Sequence, residues 1–118
     1  MTDKIVVLCT CASVDEARRI AGELIAQHLA ACVNLLPAVR SIYYWKDAVD
    51  DAGKGAVEDA EETLMIIKSA RPLFDRLRTA IVRLHSYDVP EIIALPIVDG
   101  AASYLAWMDK ELLHTETE

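Results

Sequence analysis

Three short runs of the chain are apolar at every position, and they constrain the fold more than any other feature. They cover residues 5–8, 64–67 and 92–95. Aliphatic runs of this length predict strands, and a strand that is apolar at successive positions presents apolar side chains on both faces of its sheet. Helices cover only one face in a small two-layer domain, unless the C-terminal helix shields part of the other. We therefore predict an oligomer in which another copy of the chain covers the second face.

Predicted strands and helices alternate along the sequence. Ser13 and Glu16 have the spacing of a capping box at the start of the first helix, and Pro37 in the second strand predicts an edge position or a bulge. The order β-α-β-β-α-β with a closing helix predicts an α+β, ferredoxin-like fold with helices on one face of an antiparallel sheet. The predicted strands are residues 4–10, 32–46, 63–68 and 92–98, and the predicted helices are 13–28, 72–84 and 101–113.

Length, charge and cysteine content narrow the class of protein. The 118 residues predict a single domain, residues 1–118, because the chain is too short for two cores. The net charge of −7 makes a nucleic-acid partner unfavourable. No apolar run reaches the roughly 18 residues of a membrane span, and the N-terminal apolar run is too short for a signal peptide. We predict a cytoplasmic protein with no membrane partner, in which the three cysteines are reduced thiols.

Much of the negative charge lies in residues 47–62, which hold seven acidic residues and one lysine. Such a cluster could attract cations, but it lacks the ligand spacing of a calcium loop. Charge clusters of this kind more often form solvated, self-repelling loops. We therefore predict a loop at the tip of the connection between the second and third strands.

The polar turn at residues 84–93 is the segment that points most clearly to a functional site. Pro90 fixes its own φ and favours an extended Val89, so the turn is predicted to be stiff. Polar side chains held at the edge of a sheet can form a binding or catalytic site, although a solvated helix-to-strand connection has the same composition.

Six segments in this order and at these intervals resemble the CutA family, the divalent-cation tolerance proteins. The resemblance runs from the first strand to Trp107, nearly the whole chain. The segments are Val6-Val7-Leu8-Cys9-Thr10, Leu29-Ala30-Ala31-Cys32-Val33-Asn34, Ser41-Ile42-Tyr43-Tyr44-Trp45, Ile67-Lys68, His85-Ser86-Tyr87-Asp88-Val89-Pro90-Glu91-Ile92, and Leu95-Pro96-Ile97 with Tyr104-Leu105-Ala106-Trp107.

The resemblance implies a homotrimer similar in build to the PII signalling proteins, with copper or another divalent cation as its metal. It also implies that Trp45 is an anchor near a subunit contact. Two differences from the family pattern stand in the turn, where Ser86 replaces the usual proline and Asp88 the usual glutamate. Losing the proline is expected to soften the turn beside His85. The hairpin after Trp45 is also longer than in most members.

Cys9 and His85 match the copper ligands proposed for the family. A thiol and an imidazole suit copper or zinc better than magnesium or calcium. Two ligands are too few for a tight site, so further donors would come from Cys11, Glu91, water or a neighbouring subunit. Cys9 and Cys11 are two residues apart on a strand and therefore point to one face. The alternative is structural, with Cys9 as a small buried hydrophobe and His85 as a helix cap.

Four other polar residues of the motifs, Cys32, Lys68, Tyr87 and Glu91, lie at or near predicted strand ends. They could converge with His85 in a cleft between subunits that takes a small anionic ligand or a metal chelate. The structural alternative is a Lys-Glu ion pair with a tyrosine hydrogen bond that holds the interface in register.

These observations give three hypotheses of function. The first is a trimeric copper-binding protein of divalent-cation tolerance, and the second is a PII-like signalling module that senses a small ligand in the cleft. The third is an enzyme that uses Cys9 or Cys32 as nucleophile and His85 as base. Because no known catalytic signature accompanies these residues, we predict that the protein is not an enzyme.

Overall fold

The computed structural model describes residues 2–49 and 55–114. These described residues form four strands and three helices, with a 3-10 turn at Arg71–Leu73 before the second helix. In chain order these are β1 (Lys4–Cys11), α1 (Val14–Ala26), β2 (Cys32–Val49), β3 (Gly55–Ala70), α2 (Phe74–Leu84), β4 (Ile93–Pro96) and α3 (Ala102–Glu111).

The four strands form one antiparallel sheet in the order β2-β3-β1-β4. This order places β3 between the parallel pair β1 and β2, as two split β-α-β units require. The buried positions of β1 and β3 alternate with partly exposed ones, and the buried set packs against the helices. The predicted α+β, ferredoxin-like fold is confirmed. Its largest fully buried side chains are Val7, Ile20, Leu24, Met65, Ile67, Leu73, Leu77, Ile81 and Met108.

The prediction that residues 47–62 form a loop is wrong for the part that the structure describes. β2 extends to Val49 and β3 begins at Gly55, so both ends of the acidic segment belong to a long hairpin. Arg40 on β2 explains part of this difference, because its guanidinium lies 3.0 Å from Asp59 and 3.6 Å from Glu61 on β3. Cross-strand pairs of opposite charge stabilise a sheet that the carboxylates alone would not favour. Residues 50–54 of the predicted loop lie outside the described residues.

Two local predictions are confirmed. Ser13 caps α1, since its hydroxyl accepts a hydrogen bond of 3.1 Å from the N–H of Glu16. Pro37 lies in an edge strand at an irregularity between Leu36 and Val39, where Ala38 adopts a positive φ of 63°. The edge position and the irregularity both follow from the missing N–H of Pro37, because a residue inside a sheet would need that N–H for a hydrogen bond to the neighbouring strand.

The sheet face opposite the helices is partly exposed to solvent. Register places one set of apolar side chains on this open face: Val6, Leu8, Leu36, Leu64, Ile66, Ile93 and Leu95. Ile93 is 50% exposed and Leu95 is 49% exposed. Helix α3 does not shield them, because its buried Met108 belongs to the core on the helix side. In the described part of the chain, no helix is long and apolar enough to cross a membrane.

Candidate metal centre

Cys9, Cys11 and His85 form a cluster where the end of β1 meets the end of α2. The two thiols lie on the same face of β1, and His85 is the residue that caps α2. One ligand atom from each of the three residues lies within 4.8 Å of the other two. Both cysteines and the imidazole are fully buried. The structure therefore brings together the two predicted ligands and the additional donor Cys11.

Both ring nitrogens of His85 already have hydrogen-bond partners. Nε2 lies 2.8 Å from the carbonyl oxygen of Thr10, and Nδ1 accepts a hydrogen bond of 3.0 Å from the N–H of Tyr87. A carbonyl only accepts, so Nε2 carries the proton and the imidazole is neutral. Metal ligation through Nδ1 would therefore replace the bond from Tyr87.

Glu16 anchors the turn that carries His85. Its carboxylate accepts one hydrogen bond of 3.1 Å from the N–H of Ala12 and another of 2.7 Å from the N–H of Ser86. Burial raises the pKa of Glu16, but the hydrogen bonds from Ser86 and Ala12 outweigh it, so the pKa is lowered overall. Ser86 supplies an N–H that proline would lack, and this bond holds the turn that loss of the proline was expected to soften.

Tyr87 is held by a second buried carboxylate. Its hydroxyl donates to Glu62 over 2.6 Å, and burial together with this bond raises the pKa of Tyr87. Sequence reasoning missed Glu62 because it lies in the segment predicted as a loop. It also missed Glu16 as a site residue, although its capping-box position marked it as a carboxylate near the end of β1.

The cluster fits a soft or borderline metal ion in its donor chemistry. Two sulfurs and an imidazole nitrogen suit copper or zinc, and they suit magnesium or calcium poorly. The pKa of Cys9 is raised by its hydrogen bond with Cys11 and by burial. In the absence of metal, Cys9 is therefore a neutral thiol, and a metal ion must displace its proton to bind a thiolate.

The residues predicted for a cleft fall into two groups. Cys32 and Lys68 lie opposite each other in neighbouring strands, and Lys68 donates a hydrogen bond to Asn34. Tyr87 and Glu91 lie toward the other end of the sheet, where Tyr87 contacts Glu62. Six residues of strand separate Lys68 from Glu62, which corresponds to about 20 Å. Within the described residues of one chain, no ion pair joins Lys68 and Glu91, so a shared cleft requires a second chain.

Trp45 lies on the long hairpin, opposite Ala56. Its ring is 48% exposed and packs edge-on against Tyr43, with 6.2 Å between the ring centroids. A large, half-exposed aromatic side chain is compatible with an anchor at a subunit contact. Its role there stays a prediction.

Comparison with known proteins identifies relatives over nearly the whole chain. Residues 5–111 match the family described as CutA1 divalent ion tolerance protein. The chain is 42% identical over 103 residues to the divalent-cation tolerance protein CutA of Thermus thermophilus, which covers 87% of this chain and 92% of that protein. It is 41% identical over 104 residues to the chloroplastic CutA 1 of Oryza sativa, covering 88% of this chain but only 54% of the rice protein.

Solved structures show the same fold. The crystal structure of CutA1 from Oryza sativa superposes with a TM-score of 0.85 at 39% identity, covering 95% of each chain. The divalent cation tolerance protein of Thermus thermophilus gives a TM-score of 0.83 at 39% identity, covering 92% of this chain and 98% of that one.

Proposed function

Because the chain belongs to the CutA1 family of divalent ion tolerance proteins, we propose that it is a homotrimer that binds a divalent metal ion, copper in particular, and contributes to cation tolerance. The single observation that carries this proposal is the cluster of Cys9, Cys11 and His85, whose ligand atoms lie within 4.8 Å of one another. These donors are the kind that bind copper. Copper is therefore proposed from the donor chemistry, and the tolerance role from the family.

The proposed homotrimer is supported by the open face of the sheet. Three of its aliphatic side chains, Leu36, Ile93 and Leu95, are 42–50% exposed in the single chain, and an exposed apolar patch of this kind is rare on a monomer. Further apolar side chains are exposed on the long hairpin, among them Ile42, Tyr44 and Val57. Packing three copies of the sheet around one axis would bury the open face, and the hairpins would extend to neighbouring chains.

A copper titration tests the proposed function. Reduced, metal-free protein is titrated with copper in the presence of a competing chelator, alongside a Cys9→Ala/His85→Ala double variant. We expect uptake at a fixed ratio to the protein, and loss of that uptake in the variant. Weak uptake without a fixed ratio, surviving both substitutions, would show that metal binding is incidental.

A PII-like signalling module is the second candidate function. Such a module would bind its ligand in a cleft between subunits. The observation in its favour is that Cys32 and Lys68 lie apart from Tyr87 and Glu91 within one chain, so that only a cleft between two chains could combine them. A small polyanion such as citrate is a suitable probe of that cleft. Slower amide hydrogen exchange in the hairpin on adding citrate would support the module, and unchanged exchange would remove it.

We propose a binding protein and not an enzyme. Catalysis by Cys9 would need a thiolate with a lowered pKa, whereas burial and the bond with Cys11 raise the pKa of Cys9. Slow alkylation of Cys9 at neutral pH, accelerated by denaturant, is the expected result. The cytoplasmic location remains a prediction, since relatives include bacterial and chloroplastic proteins.

A further inference from the structure

We propose that a groove beside α2 binds a small dicarboxylate in which an apolar chain separates the two carboxylates. The groove has a volume of about 410 Å³ and lies between α2, the end of α1 and the residues that follow α3. Sites for small molecules have volumes of roughly 300–1,000 Å³. The described residues that line this α2 groove include none of the metal cluster, so the inference is independent of the proposed function. Its lining includes Gln27, Leu29, Arg76, Ala80, Arg83 and Leu113.

The segment that forms one wall of the α2 groove is basic, although the chain as a whole is acidic. Residues 71–84 contain four arginines and one acidic residue, Asp75, whereas the net charge of the chain is −7. Asp75 also lines the groove, but its carboxylate lies 3.7 Å from the guanidinium of Arg78. Among the described residues, neither Arg76 nor Arg83 forms an ion pair. Because a guanidinium is always charged and can donate two parallel N–H bonds to a carboxylate, both arginines are suited to an anionic ligand.

The spacing of the two arginines selects the length of the ligand. Arg76 and Arg83 are seven residues apart on α2, which is close to two helical turns, so they lie on the same side of the helix about 10 Å apart along its axis. Side chains on a helix lean toward its N-terminus in the same way, so this spacing carries over to the two guanidinium groups. An extended saturated chain advances about 1.25 Å for each carbon–carbon bond. Nonanedioate therefore places its two carboxylates at the required separation.

The base of the α2 groove explains why the spacer of the ligand is apolar. Leu29 and Ala80 are buried beneath the groove, and Leu113 beside them is 39% exposed. Methylene groups that lie on these side chains are removed from water, which favours binding in proportion to the apolar area covered. A single phosphate or sulfate would reach one arginine and leave this apolar surface uncovered. An apolar dicarboxylate fits both the charges and the surface between them.

A titration followed by NMR of the backbone amides tests the inference on the reduced, metal-free protein. Nonanedioate is compared with butanedioate, which is too short to reach both arginines, and with nonanoate, which lacks one carboxylate. We expect saturable binding of one nonanedioate per chain, with the largest shift changes at Gln27, Arg76, Arg83 and Leu113. The two shorter or singly charged ligands should bind about 5-fold more weakly or worse, because each loses one ionic contact.

Single substitutions locate the binding site. Arg76→Gln and Arg83→Gln should each weaken the binding of nonanedioate about 5-fold. Both side chains are exposed, so the variants should melt at the temperature of the wild type. Arg18→Gln is the matched control, because it removes the same charge from an exposed position of α1 that does not line the groove, and its affinity should equal that of the wild type.

Several results would overturn the inference. They are the absence of saturable shifts at roughly 10 mM nonanedioate, equal affinities for nonanedioate and nonanoate, and equal weakening in Arg18→Gln and in the two groove variants. Tighter binding of a short peptide with two glutamates than of nonanedioate would assign the groove to a peptide and not to a small molecule. The Cys9→Ala/His85→Ala variant should bind nonanedioate as the wild type does, so the result stands apart from that of the copper titration.

Discussion

Glu16 shows at the scale of single residues how one side chain joins distant parts of the fold. Its N–H completes the cap of α1 at Ser13, and its carboxylate holds the N–H of Ser86, seventy residues further along the chain. The charged acceptor is almost fully buried, so its bonds are costly to remove. The position of His85 therefore depends on Glu16, which the sequence indicates only as the second residue of a capping box at the start of α1.

Substituting Ser86 by proline tests this dependence. Ser86→Pro removes the N–H that donates to Glu16 and leaves a buried carboxylate oxygen without that donor. We expect the free energy of unfolding to fall by about 1–3 kcal/mol. Urea denaturation at a fixed protein concentration measures the change, because the stability of an oligomer depends on concentration.

Ser86→Ala is the matched control. It keeps the backbone N–H and loses only the hydroxyl that also contacts Glu16, so we expect a loss of about 1 kcal/mol or less. A proline variant as stable as the alanine variant would show that the bond from the N–H of Ser86 does not hold the turn.

At the scale of elements, the sequence predicts most of the fold because its strands and helices have clear periodicity. The period of two places Cys9 and Cys11 on one face, and the end of the helical stripe places His85 near the end of α2. The sequence predicts β3 only from residue 63, whereas the strand begins at Gly55, because residues 55–62 are rich in acidic side chains. Its stabilising partners, Arg40 for Asp59 and Tyr87 for Glu62, are distant in sequence, so local propensity does not reveal them.

Lys4 links the first strand to the last helix. Its ammonium lies at the start of β1 and contacts Asp3 at 2.6 Å and Asp109 of α3 at 3.1 Å, so it ties the last helix to the sheet. Burial lowers the pKa of Lys4, but the bonds to the two carboxylates outweigh it, so the pKa is raised above its usual value of about 10.5. The stabilisation is therefore complete below pH 10.5 and is lost as the pH rises through the raised pKa.

We expect Lys4→Met to lower the free energy of unfolding by about 1 kcal/mol between pH 7 and pH 9. The difference from the wild type should shrink as the pH rises above 10.5. Denaturant titrations across this range measure both effects. The exposed Lys110, also on α3, provides the control, and Lys110→Met should differ little from the wild type at any of these pH values. A difference that grew above pH 10.5 would contradict the account.

At the scale of the whole molecule, the open face of the sheet is the feature that bears on whether the chain is a monomer or an oligomer. Strands that are apolar on both faces predict a partner, and the structure places the exposed half of that apolar surface on the face opposite the helices. Which chain covers the face, and how many copies assemble, does not follow from one chain's periodicity. The predicted cleft has the same limit, because its two groups of residues lie apart in one chain and could meet only if a second chain contributed one of them.

Charge substitutions on the two sides of the molecule test which surface is covered. Ile93 on the open face and Val82 on α2 are exposed to nearly the same extent in the single chain, 50% and 48%. Ile93→Lys should reduce the mass measured by light scattering at micromolar concentration, because a lysine buried between subunits would lose its hydration. Val82→Lys should keep the mass of the wild type. Equal masses for all three proteins would show that the open face is not the interface.

Native mass spectrometry of the reduced protein loaded with copper tests the central claim most directly, since it counts chains and metal ions in the same particle. The account predicts a complex of three chains that carries one copper ion per chain, and loss of the copper without loss of the complex in Cys9→Ala/His85→Ala. A particle of one chain, or a complex of three chains with no retained copper, would contradict it.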